Sequence, residues 1–445
     1  MSNLETDILI QDPLIGELER TLDQLVVYRG DPRQVDFRNL KTLLVSFRNA
    51  GTMSNLCALK LLLAEALRLG KTLILLHVEE GNQLAQLLGV GMNCRCMIVK
   101  PYPDFKVVHV LGQHDCPISF GGQCQITQYE DGCKRACVES PGLNECGAYR
   151  SGGHCESYAV EARKIESILE SNFVMPEAFC SAGSSPADLP REQFNITYLA
   201  IEEIRNLSDL QVTNNSVVME ISLIASYNPQ YKYLRIRSVG AGFNPANGGA
   251  MQSDSTYDRG YFQEEIKIHM QPMSSSLRTL TTEPKNINRQ QQYTTSSQFS
   301  VGVDVAKNPS FNSSYTISES MTTVVSDFNI YNNSAGVTGE WEFQLAMTEN
   351  SIWDIFDEQT LKKAKVKSLP PLATKNLQAV TESVWYGANT LNGVIGMQLY
   401  WHINHFHCWV TGDWASYTKH YHRIGATRGY VDDNLIYLDF SSVNA

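Results

Sequence analysis

Five histidines near the end of the chain, His402, His405, His407, His420 and His422, are of a type and spacing that could hold a metal ion. On extended strands His405 and His407 share a face, as do His420 and His422, so four imidazoles would converge if the two strands paired. The competing reading is an aromatic-rich face of a β-sandwich, and the expectation from sequence is that no metal is held. Cysteine forms the second group. Six of eleven, Cys116, Cys124, Cys133, Cys137, Cys146 and Cys155, crowd into a Gly-rich stretch without a hydrophobic period. They read as disulfide candidates in a small stapled module, with 15 connectivities open. Cys133-x3-Cys137 and His154-Cys155 offer a zinc alternative, but no CxxC pair is present. Cys94 and Cys96 are one residue apart, which does not support thioredoxin-type chemistry. A nucleotide-binding loop, HExxH and GxSxG are all missing, so no enzyme class and no cofactor is implied.

Length and charge narrow the classes further. The chain has 445 residues and a formal net charge of −11, with no basic run, which argues against a nucleic-acid partner. No run of 18 apolar residues exists to make a membrane-spanning helix. The start, MSNLETDILIQDPLIGELER, shows neither a basic region nor an apolar core of a signal peptide. The cysteines and the sequons at Asn195, Asn206, Asn214, Asn312 and Asn332 nevertheless fit an exported protein.

Residues 1–112 alternate helix and strand signals. A helix is expected over 14–27 and another over 54–69, stopped by Gly70, with buried strands at 43–47, 72–78, 97–99 and 105–110. Residues 113–192 hold the cysteine module, a helix over 161–171 and the linker SAGSSPADLPRE. Arg163, Lys164 and Arg191 are possible sites for an activating protease. From 193 onward short strands follow at 217–226, 231–239, 261–271, 339–347, 379–386, 396–410, 419–425 and 435–439, the pattern of a sandwich.

One stretch stands apart, residues 298–321. Phe299, Val301, Val303 and Val305 alternate with Gln298, Ser300, Gly302 and Asp304. A turn follows at Lys307-Asn308-Pro309-Ser310, and then Phe311, Tyr315 and Ile317 alternate with Asn312, Ser314, Thr316 and Ser318. If Val305 meets Phe311, Val301 meets Tyr315 and Phe299 meets Ile317, which makes one face of the hairpin apolar and the other hydroxylated. Each arm is about 10 residues, the length of a tilted strand crossing a bilayer. Soluble half-buried hairpins alternate in the same way.

The β half resembles the leukocidin/haemolysin-type β-barrel pore-forming toxins, and within them the cytolysins of the Vibrio type. The blocks that carry the resemblance run in order: FNITYLAIEEIRNL, YLRIRSVGAGFNP, YDRGYFQEEIKIHMQP, EPKNINRQQQ, FSVGVDV…SSYTISESMTTVVSDFNI, GDWASYTKHYHRIGATRGY and LIYLDF. The first 112 residues, notably LLGVGMNCRCMIV, resemble a pro-domain of those cytolysins. The resemblance implies an α+β chain in three parts. These are a pro-domain-like unit (1–112), a cysteine-rich module with linker (113–192) and a leukocidin-like domain (193–445). The last would carry a stem at 287–329 and a rim at about 348–380. The implied activity is not enzymatic. A secreted soluble protoxin would bind lipid or a receptor on a target-cell membrane, assemble into a homo-oligomeric ring, typically of seven, and insert one hairpin per subunit. Phe299, Val301, Val303, Val305, Phe311, Tyr315 and Ile317 would then face lipid. Gln298, Ser300, Asp304, Asn312, Ser314, Thr316 and Ser318 would line the lumen, and Trp353 and Phe356 would sit at the rim. The alternatives are a non-lytic membrane- or glycan-binding sandwich that kept the fold and, more remotely, a metal-dependent enzyme built on the histidine face.

Overall fold

The computed structural model describes residues 13–28, 35–47, 56–111, 124–125, 136–137, 158–170, 191–205, 210–225, 231–241, 260–286, 292–301, 315–324, 327–348, 356–357, 365–366, 379–413, 418–430 and 435–443. Its first part alternates helices with strands. In chain order it runs α1 (Pro13–Thr21), β1 (Leu25–Val27), β2 (Thr42–Ser46), α2 (Leu56–Arg68), β3 (Thr72–Val78), α3 (Gly81–Leu88), β4 (Val90–Met92), β5 (Cys94–Pro101) and β6 (Lys106–Leu111). After the short pair β7 (Cys124–Gln125) and β8 (Ala136–Cys137) comes α4 (Tyr158–Glu170). The remainder is β-rich. It opens with β9 (Arg191–Arg205), β10 (Leu210–Ala225), β11 (Tyr231–Ala241), β12 (Gly260–Pro272) and β13 (Arg278–Glu283). Then come β14 (Gln292–Val301), β15 (Tyr315–Val324), β16 (Phe328–Asn332), β17 (Gly339–Leu345), β18 (Phe356–Asp357) and β19 (Lys365–Val366). The last strands are β20 (Thr381–Ala388), β21 (Val394–Asp413), β22 (Thr418–Tyr430) and β23 (Leu435–Asp439).

Local chemistry explains most of these elements. In α2 the buried residues Leu59, Leu62, Leu63 and Ala66 fall at helical spacing, and Gly70 beyond its end takes φ +72. The helix expected over 14–27 is shorter than that. It ends at Thr21, Gln24 turns into the left-handed region (φ 59), and the β-branched Val26 and Val27 pair with β2 in parallel. Helix α3 was not anticipated. It rests directly on β4: a Cβ on Gly91 would lie 1.9 Å from the Gly81 carbonyl, so only glycine permits the approach.

Two sheets organise the molecule. One has ten strands in the order β1-β2-β3-β5-β6-β9-β10-β11-β20-β13, and the other runs β16-β17-β12-β21-β23-β4, with β22 also on β21. The first sheet crosses from the N-terminal unit into the β-rich part through β6 and β9. These strands run parallel over six residue pairs, from Lys106↔Phe194 to Leu111↔Leu199. A second join is β4 on β23, with Ile436↔Met92 and Leu438↔Val90, supported by the Asp439 N–H donating to the Gly89 carbonyl at 2.9 Å. The Lys106 amine bonds the Glu192 carboxylate and the Leu88 carbonyl.

Helices α1 and α4 cover one face of the N-terminal strands, packing Leu14, Leu18, Ala162 and Ile165 on Leu44, Ile74 and Ile98. Helices α2 and α3 cover the other face. Their residues Leu59, Leu63, Leu84 and Leu88 belong to one hydrophobic cluster with Phe194, Ile221, Trp341, Trp385, Trp401 and Phe440 of the sandwich. The described strands up to Leu111 and those from Arg191 onward therefore share both sheets and a core, and the boundary expected at 193 falls inside β9.

Candidate functional site

Strands β14 and β15 form a two-stranded sheet of their own. Their antiparallel register runs from Gln292↔Val324 to Val301↔Tyr315. It contains Phe299↔Ile317 and Val301↔Tyr315, the pairs that the alternation predicts. On the other face Gln298 meets Ser318 and Ser300 meets Thr316, and this hydroxylated row continues through Ser296↔Ser320 and Thr294↔Thr322. On the apolar side the row after Phe299↔Ile317 is Ser297↔Glu319, where the apolar pattern stops. Val303, Val305, Phe311, Asp304, Asn312 and Ser314 lie outside the described residues.

Strand β14 runs alongside β13 and β20, at the end of the ten-stranded sheet. The base of the hairpin is held by a set of polar side chains that sequence reasoning did not single out. The Asn332 side chain donates to the Pro284 carbonyl at 2.7 Å, and its backbone N–H donates to Asn286 Oδ1 at 2.6 Å. Its Oδ1 accepts from the Ser334 N–H at 3.0 Å. The Trp341 indole N–H donates to the same Pro284 carbonyl at 3.0 Å, from a fully buried position. Pro284 directly follows β13 and Asn332 closes β16, so the two chain ends that flank the hairpin are tied together.

Next to this base the outer face of the ten-stranded sheet carries a buried charged row. Register aligns Asn195 of β9, Glu220 of β10, Arg237 of β11, Glu382 of β20 and Glu283 of β13. Glu382 is fully buried and accepts from Arg235 at 2.8 Å and from Arg237 at 3.0 Å. Charges this deep persist only when paired, and removing one partner is costly. No sequence period marks this row, because its members come from five strands.

The remaining expected sites are placed as follows. Phe356 lies in β18, paired with Val366 of β19, whereas Trp353 lies outside the described residues. Arg163 and Lys164 sit inside α4, and Arg191 begins β9 opposite Ile224. A protease takes its substrate extended, so α4 would have to open before a cut at 163 or 164. The Lys100 amine holds the end of α4 by donating to the carbonyls of Ile168 and Leu169 at 2.5 and 3.1 Å. Among the cysteine candidates, Cys124 and Cys137 stand opposite each other in β7 and β8. Cys116, Cys133, Cys146 and Cys155 lie outside the described residues. Burial pushes the Cys94 thiol well above its ordinary value, which suits a core residue rather than a reactive one. Asn195 is 1% exposed within its sheet, so a glycan there is incompatible with the fold.

The histidines divide between two faces. His402 belongs to an outer stack on β12 and β21, with Tyr400 between it and His269. The ring centroids are 4.4 Å apart for His269–Tyr400 and 4.6 Å for Tyr400–His402. The other four occupy the opposite face of β21 and its partner β22.

No family model and no curated protein sequence matches the chain. Solved structures do. The Clostridium perfringens delta-toxin is similar over 56% of this chain and 91% of its own, with 15% identity and a TM-score of 0.36. A structure titled pore forming protein is similar over 56% and 94%, with 7% identity and a TM-score of 0.37. The Clostridium perfringens NetB toxin in the membrane-inserted form is similar over 55% and 96%, with 6% identity and a TM-score of 0.31.

Proposed function

We propose that the protein is a pore-forming cytolysin, exported as a soluble chain, whose β14–β15 hairpin is the stem. The observation that carries this reading is the register of β14 on β15, which puts Phe299↔Ile317 and Val301↔Tyr315 on one face and Gln298↔Ser318 and Ser300↔Thr316 on the other. A hairpin of this composition satisfies a bilayer on one side and water on the other. It cannot enter hydrocarbon alone, because each unpaired backbone group on its two outer edges costs several kcal/mol there. Copies of the chain remove that cost by pairing edge to edge into a closed barrel, which makes ring assembly and insertion one event. The resemblance supports a homo-oligomer, most simply of seven. In this reading 287–329 is the stem, and 348–380, with Trp353 and Phe356, is the rim that meets target-cell lipid or a receptor.

The N-terminal unit stays in place. Residues 1–112 are joined to 193–445 by β6 on β9, by β4 on β23 and by a common core. A cut between 113 and 192 therefore leaves the unit seated, and activation proceeds at the hairpin base rather than through departure of a pro-domain.

Dye release from liposomes tests the reading, with and without limited proteolysis, alongside electron microscopy of the same vesicles. Leakage with ring-shaped particles is the expected result. Intact vesicles across lipid mixtures in both states would instead favour a non-lytic binding sandwich.

A further inference from the structure

Along β12, Glu265, Lys267 and His269 alternate with the buried Ile266, Ile268 and Met270, and along β17 Glu340 and Glu342 alternate with the buried Trp341 and Phe343. The register sets His269 against Glu340 and Lys267 against Glu342, so these charged side chains share the outer face of the second sheet. His269 is 9% exposed, and neither ring nitrogen has a hydrogen-bond partner among the described residues. Its ring lies flat on Tyr400, and Nδ1 stops 3.7 Å from the Glu340 carboxylate, too far for a hydrogen bond. We propose that this face is an acid-driven latch on the hairpin base, in which a protonated His269 closes on Glu340.

β17 carries the clamp on its other side. Trp341, between the two glutamates, donates to the Pro284 carbonyl, and Asn332, opposite Trp341 in the ladder, donates to the same atom. Glu340 is tied to the turn that follows Asn332. Its carbonyl accepts from the Asn333 N–H at 2.8 Å, and its N–H donates to Ser334 Oγ at 2.9 Å. Protonation makes both imidazole nitrogens donors, and a charge-assisted bond to a carboxylate closes to about 2.7–2.9 Å. The strand that holds the clamp is thereby drawn onto β12. The other groups around His269 are Lys267 and Glu265 on its own strand, Glu342 beside Glu340, and Tyr400 and His402 on β21. Lys267 opposes a second positive charge, but its amine is engaged 3.0 Å from Glu265. Glu342 acts in the same direction as His269. Burial, and then a hydrogen bond with Glu265, hold its carboxyl above the ordinary value, so it takes up a proton more readily in the paired strands than in a loosened base. Both steps favour the closed base as the pH falls. Control of insertion by this latch rests on the pore-forming reading, whereas the closing itself does not.

The test is hydrogen exchange of the full chain, read by mass spectrometry over 328–345 and corrected for the intrinsic rate, between about pH 8 and pH 5, where histidine changes charge. The wild-type protein should gain about two- to fivefold protection there as the pH falls, a size limited by the partly exposed Glu340 carboxylate. His269→Gln and Glu340→Gln should each abolish the gain, and His402→Gln should keep it. On liposomes the onset of dye release should lengthen in acid by a similar factor for the wild type and stay constant for His269→Gln. Protection that does not change with pH in the wild type would overturn the proposal, as would an undiminished gain in Glu340→Gln. The latter variant decides the matter should His269→Gln fail to fold, because Glu340 is the more exposed partner. A gain in protection without leakage at any pH would uphold the latch and remove the pore-forming reading.

Discussion

Strands β6 and β14 both flank the sandwich, yet they are held in opposite ways. β6 has a partner on each side, β5 and β9, and its buried residues Val107, Val108 and Val110 are packed from both faces. β14 has β15 as its ladder partner, in a sheet of two strands, and its surroundings are tied by a few hydrogen bonds at the base. Burial on two faces makes β6 permanent, whereas the proposed function requires β14 to come from the weakly stabilised end of the molecule. The strands that resemble a pro-domain are thus built into both sheets of the β-rich part.

The sharpest way to break this contrast is to place the same charge in both strands. Val108→Asp buries an unpaired carboxylate in the shared core and should cost at least about 3–5 kcal/mol in urea unfolding, enough to threaten folding itself. Val301→Asp should leave the melting temperature nearly unchanged and abolish dye release, because the carboxylate would face hydrocarbon. If Val301→Asp unfolds the protein to the same extent, the hairpin is core and the contrast fails. A smaller effect is expected at the charged row beside the β14–β15 hairpin. Arg235→Leu removes one of two arginines from Glu382 and should destabilise by about 3 kcal/mol. Loss of leakage with no loss of stability would show that the row serves insertion instead.

Acid should act on the permanent region. Burial, with a smaller effect of Lys100, lowers His109 on β6 to about 4. Between the ordinary histidine value and that one the unfolded chain binds a proton that the folded chain refuses. Stability is therefore full above about pH 6.5 and falls by about 3 kcal/mol as the pH drops to 4. His109→Gln should flatten that slope in chemical unfolding measured at several pH values. An unchanged slope would place the acid sensitivity elsewhere. The smallest effect belongs to the clamp. Asn332→Ala removes the bonds to Pro284 and Ser334 and should cost about 1–2 kcal/mol. Leakage should start sooner at unchanged single-channel conductance, and a slower onset would mean that the clamp helps insertion.

Much of the strand pattern was legible beforehand. β23 was expected over its observed residues, and β11, β12 and β21 differ from expectation by a few residues at their ends. The hairpin register was legible too, because its turn joins strands adjacent in sequence and an alternation of period two admits one pairing that keeps the apolar face whole. Less visible were α3, whose eight residues lie between two strands with no side-chain cap, and the clamp, in which Pro284 meets Asn332 and Trp341 from 48 and 57 residues away.

The amino-acid sequence alone determined the alternation along β14 and β15, the class of strands around them and the histidine spacings, since each depends on neighbours within about ten residues of one another. Tertiary structure decided that β6 runs parallel to β9 and that β4 closes the second sheet against β23. Such pairings join segments tens to hundreds of residues apart. They are selected by which edges and faces remain to be covered once the local elements exist, and no local pattern records that choice.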